Sequence, residues 1–122
     1  MTAVFDAKRA KWAELRTEHA RRMAGTFTAG GKTFTIDQPD LALAMMDAFL
    51  AQRANDASWQ QRWPTADGPA VLLSAAQMLA LGRARHAAVA ALGNTLESLR
   101  DQLRAIDNNT GTLAQVAAVV WP

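Results

Sequence analysis

The chain has 122 residues, with 13 Lys and Arg against 11 Asp and Glu for a net charge of +2, and half of its residues are hydrophobic, much of that alanine. That length supports one domain, residues 1–122, with a modest core, and the charge balance gives no strong excess of either sign. Cysteine is absent, which excludes disulfides and thiolate chemistry; no apolar run approaches the roughly 18 residues that span a bilayer.

The opening MTAVFDAKRAKW is charged and lacks the apolar core of a signal peptide, so a soluble, intracellular product is expected. Thr2 to Ala24 reads as a first helix, with Phe5, Trp12, Leu15, His19 and Met23 on a shared face. Arg21 and Arg22 fall in its last turn, where positive charge suits the helix dipole, and Gly25 supplies the stop. In TFTAGGKTFTID, Thr-Phe-Thr on either side of Gly30-Gly31 predicts a short β-hairpin. Phe27, Ala29, Phe34 and Ile36 would line its buried face.

A second helix is expected with Asp37 as its cap and Pro39 near its first turn. Leu41, Leu43, Ala44, Met45, Ala48, Phe49 and Ala51 give it a broad apolar surface, so it should be central to the core. Asn55-Asp56 begin a loop, Trp63-Pro64 is extended at Trp63, and Ala66-Asp67-Gly68-Pro69 is turn chemistry. Val71-Leu72-Leu73 is a candidate third strand against the hairpin.

Ser74 to Asp107 carries the strongest signal. Ser74 and Gln77 form a capping-box pair, and Met78, Leu81, Ala88, Leu92, Leu96, Leu99, Leu103 and Ile106 make one helical stripe. Two readings are open: one continuous helix, or a break at Gly93-Asn94 with Asn94 and Glu97 opening a second helix. A continuous helix would be about 50 Å long. A compact domain of this length is roughly 35 Å across, so Leu99, Leu103 and Ile106 at the end of such a helix would be exposed and need a partner. Asn108-Asn109-Thr110-Gly111 is a turn, and Thr112 with Gln115 starts a short last helix ending at Trp121-Pro122. The fold class is thus mainly α with a small β-hairpin (α+β).

Candidate chemistry is sparse. His19 and His86 lack any partner at metal-ligand spacing; His19 sits on an apolar face and His86 on an exposed arc. Gly30-Gly31-Lys32-Thr33 lacks the first glycine of a phosphate loop, since Thr26 stands there, and no helix follows. Glu97, Asp101 and Asp107 interleave with Arg100 and Arg104 as ordinary surface pairs. Neither a catalytic constellation nor a cofactor motif emerges, so no enzyme activity and no cofactor are expected. Lys8, Arg9, Lys11, Arg16, Arg21 and Arg22 with Trp12 raise a nucleic-acid hypothesis, weakened by Asp6, Glu14 and Glu18 among them. Trp59, Trp63 and Trp121 are candidates for contacts, since tryptophan is enriched in cores and at interface hot spots. Trp121 implies that the C-terminus docks, on the domain itself or on a partner.

Taken together, these pieces resemble a small domain family of unknown function from phage and prophage genomes, encoded beside tail-fibre genes. The likeness rests on the Arg-rich run Arg16 to Arg22 leading into Gly31-Lys32-Thr33-Phe34-Thr35-Ile36-Asp37, and on the apolar helix that follows. Trp63-Pro64-Thr65-Ala66-Asp67-Gly68 leading to Val71, Leu72 and Ser74, the Leu99 to Ile106 helix and the terminal Trp121-Pro122 complete it, covering residues 8–122. Gln38-Pro39-Asp40 departs from the family, whose members carry a Ser or Thr cap nearby.

The resemblance implies no catalytic site. It implies a non-enzymatic role in phage tail-fibre assembly through protein contacts, or a structural component retained in the tail. The location would be the host bacterial cytoplasm during assembly, or the virion tail. The partner would be a tail or tail-fibre protein, with a homo-oligomer possible because fibres are commonly built about a symmetry axis; no membrane is involved and nucleic acid is a third, lesser reading. The expected partner-binding residues are Trp59, Trp63, Leu99, Leu103, Ile106 and Trp121.

Overall fold

A computed structural model describes residues 2–122. It is mainly α with two small antiparallel sheets. The elements in order are α1 (Ala3–Met23), β1 (Thr26–Ala29), β2 (Lys32–Thr35), α2 (Leu41–Arg53), β3 (Gln60–Trp63), β4 (Val71–Ser74), α3 (Ala75–Ala105) and α4 (Leu113–Ala117). The chain divides into two compact units. One, unit 1, takes the N-terminal segment up to Arg22 together with Ala90–Pro122; the other, unit 2, is Met23–Val89.

The long helix is continuous from Ala75 to Ala105, so the break at Gly93-Asn94 does not occur. Its start is the capping box read from sequence. The Gln77 amide N–H donates to Ser74 Oγ at 3.2 Å, and the Ser74 N–H donates to Gln77 Oε1 at 2.8 Å.

Unit 2 holds both sheets. β1 and β2 pair with Phe27 opposite Phe34, whose rings lie 5.9 Å apart, and both side chains are buried with Ile36. The two-residue turn needs positive φ at both positions, and Gly30 (57°) and Gly31 (76°) supply it. Val71–Ser74 is indeed a strand, but it does not join this hairpin. It pairs with Gln60–Trp63, with Gln60 opposite Ser74 and Trp63 opposite Val71, because the Asp67-Gly68-Pro69 turn folds the chain straight back. The Ala66 N–H donates to Thr33 O at 2.8 Å and ties that turn region to β2.

The second helix begins later than expected. Its N-cap is Asp40, not Asp37, and no side-chain cap bond forms there. Asp37 and Gln38 precede Pro39, which disfavours helical backbone in the residue before it, so the helix starts only at Leu41. Leu41, Ala44, Ala48 and Ala51 are its buried face. Gly82 of α3 is also buried, and a Cβ there would collide with the end of the Met45 side chain.

Unit 1 joins segments about a hundred residues apart. Its core is Val4 and Leu15 of α1, Leu99 and Leu103 of α3, and Val116 and Val119 at the C-terminal end. At the end of α3, the Asp107 carboxylate accepts from the N–H groups of Asn109 (2.7 Å) and Thr110 (2.9 Å) and shapes the turn. These bonds hold its pKa below the usual carboxylate range. Lys8 Nζ donates to Ile106 O and to Asn108 Oδ1, each at 2.8 Å, placing a cation on the carbonyl end of α3. α4 opens on the expected Thr112/Gln115 capping box.

Candidate functional site

Of the six residues singled out for partner contact, Trp63, Leu99 and Leu103 are buried, and Trp59, Ile106 and Trp121 are half-buried. Leu99 is 2% exposed and Leu103 is 5% exposed, and Ile106 packs against the same cluster. The expectation of an uncovered apolar edge on α3 is therefore corrected. α1 and the segment around α4 cover that edge from opposite ends of the sequence, which the local stripe does not reveal.

The tryptophans divide in the same way. Trp63 is buried at the end of β3, and its indole Nε1 has no hydrogen-bond partner among the described residues. Trp121 is half-buried and packs against the unit 1 core. Its ring centroid lies 6.2 Å from that of His19, and the Arg22 guanidinium sits 4.9 Å from it. Trp121 thus docks on its own unit. Trp59 is half-buried, in the segment just before β3.

The basic face of α1 is partly neutralised. Glu18 binds two arginines, with Arg21 Nε on Oε2 and Arg22 Nε on Oε1, each at 2.8 Å. Those charge-assisted bonds, Arg21 first and Arg22 second, hold its pKa down at about 2. Lys11 pairs with Glu14 at 3.3 Å. The cations of this helix therefore do not form one continuous strip. Among the described residues no group of three or more His, Cys, Asp or Glu is arranged to hold a metal, and no helix is long and apolar enough to cross a membrane.

Leu72, Leu113 and Val120 are exposed at scattered positions, while four further exposed apolar side chains share one helix. α2 buries one face and presents another to solvent: Leu43 is 65% exposed, Met46 61%, Phe49 50% and Leu50 56%. Leu43, Met46 and Leu50 follow the i, i+3, i+7 spacing of one helix face, and Phe49 flanks them. Leu43 and Phe49 were expected in the core because apolar residues surround this helix on all sides, and periodicity cannot say which side is covered. The excess of apolar residues beyond one face was the available signal.

The outer face of α2 is thus a cluster of four exposed apolar side chains on a mainly α protein. The chain matches the family model described as "Domain of unknown function (DUF4376)" over residues 6–120 and belongs to that family. Neither a curated protein nor a solved structure matches it.

Proposed function

We propose that the chain is a non-enzymatic phage or prophage tail-associated protein that acts through protein–protein contacts in tail-fibre assembly. The observation that carries the protein-contact part is the outward face of α2. Four large apolar side chains, each half or more exposed, lie together on one helix. The largest contiguous apolar patch on a monomer is often functional, and patches of more than a few hundred Å² mark interaction sites. An amphipathic or apolar helix face of this kind binds by laying its side chains into a partner's groove. The tail-fibre part rests on the resemblance carried by the Arg-rich helix, hairpin, Trp63-to-Ser74 segment and terminal Trp121-Pro122.

The test is co-purification with a tail-fibre protein of the same genome, together with mass spectrometry of purified particles. Co-purification that is lost in Leu43→Glu/Leu50→Glu, with the protein absent from particles, is the expected result for an assembly factor. Stoichiometric presence in particles makes it a retained tail component instead. No association with the fibre protein and no presence in particles overturns the reading.

A further inference from the structure

We propose that a groove in unit 1, between α1 and the end of α3, docks a short acidic segment of a partner protein. One bulky apolar side chain of that segment fills the groove, and flanking Asp or Glu residues meet Arg9 and Arg104. The inference rests on the protein-contact reading above and concerns a surface separate from the α2 face.

The groove has a volume of about 250 Å³, the scale of one or two side chains. Phe5, Trp12 and Leu103 supply apolar lining, and its charged lining residues are all cations, Lys8, Arg9, Arg100 and Arg104. Two of the four are already committed. Lys8 holds Ile106 O and Asn108 Oδ1, while Arg100 lies 5.5 Å over the Trp12 ring and 3.9 Å from Glu97. Arg9 and Arg104 are exposed and join no ion pair among the described residues.

An apolar cleft with free guanidinium groups at its edge complements a ligand that is apolar in the middle and anionic on either side. Burying the apolar residue drives association, and planar guanidinium groups pair bidentately with carboxylates. Single-stranded nucleic acid fits less well. It needs open aromatic faces and a run of cations to follow successive phosphates. Here Trp12 packs on the core and under Arg100, and Lys11, Arg21 and Arg22 are held by Glu14 and Glu18.

The experiment is fluorescence anisotropy on the full chain with a fluorescein-labelled Asp-Glu-Phe-Glu-Asp peptide. The expected result is saturable binding that weakens as salt rises. Arg9→Ala/Arg104→Ala, both at exposed positions, weakens it by about tenfold or more, with an unchanged circular dichroism spectrum. Replacing the probe's Phe by Ala has a similar effect. The proposal is overturned by no binding at millimolar peptide, by equal binding to the double variant, or by equal binding of a Lys-Lys-Phe-Lys-Lys probe. It is also overturned if a labelled oligo-dT binds more tightly than the acidic peptide, which would assign the groove to nucleic acid. Failure here with fibre co-purification intact removes the groove alone. Peptide binding without fibre association removes only the tail-fibre reading.

Discussion

Arg22 lies with its guanidinium 4.9 Å from the ring centroid of Trp121, joining the end of α1 to the penultimate residue of the chain. The same guanidinium donates its Nε–H to Glu18 Oε1 at 2.8 Å, and His19 packs on the other residue of the pair. Trp121→Ala is expected to destabilise the protein by about 2 kcal/mol, below the loss for a fully enclosed tryptophan. Arg22→Ala should cost about 0.5–1 kcal/mol. Urea unfolding followed by circular dichroism measures both.

Glu18 gives a pH signature. Its carboxyl is held at about 2 in the folded chain, against an ordinary value of 4.5. A depressed folded pKa contributes stability that is present above the unfolded value and lost as pH falls through the folded one. The window is therefore pH 4.5 down to about 2. The contribution is small because the carboxylate is only partly buried and solvent screens the pair. A carboxyl-detected NMR titration should show Glu18 with its midpoint near 2 in the parent and back toward 4.5 in Arg21→Ala/Arg22→Ala.

Two glycines of unit 1 should respond in opposite directions. Gly93 lies inside a continuous helix, and a Cβ there meets nothing within 4 Å. Gly93→Ala should therefore stabilise by about 1 kcal/mol through helix propensity alone. At Gly111 an added Cβ would run into Asp107 O and the Ile106 Cγ2 methyl. Gly111→Ala should destabilise by roughly 1–3 kcal/mol, since backbone must move to admit it. Thermal unfolding of the two variants separates the signs.

The two groups of leucines differ in exposure despite similar sequence patterns. Leu99→Ala, at a site 2% exposed, should cost about 3 kcal/mol or more. Leu43→Ala, at a site 65% exposed, should stay within about 0.5 kcal/mol. Comparable losses at both positions in urea titrations would contradict the assignment of α2's outer face as solvent-exposed.

Local chemistry was legible and distant coverage was not. The two capping boxes, Ser74/Gln77 and Thr112/Gln115, formed as their spacing requires, and Gly30-Gly31 turned the hairpin. An unbroken stripe of Ala88, Leu92, Leu96 and Leu99 outweighed the glycine at position 93. β3 was missed because its half-buried position is Gln61, so only Trp63 of the inward face is apolar and the sequence shows no apolar alternation. The burial of Leu99 and Leu103 depends on Val4, Leu15, Val116 and Val119, far away in sequence. The α2 surface was hidden by its own composition, since Leu41 and Leu43 look alike in sequence but face the core and the solvent respectively.

Because unit 1 closes around residues from both ends, its construction on the ribosome has an unavoidable delay. The Met23–Val89 unit is one uninterrupted segment and has all of its sequence at hand once Val89 emerges. Val4 and Leu15 must wait for Val116 and Val119, roughly a hundred residues later, which is about 5–20 s of synthesis. During that interval the apolar side of α1 lacks its partners in the nascent chain, so a helix made before the Met23–Val89 unit belongs to a core sealed after it.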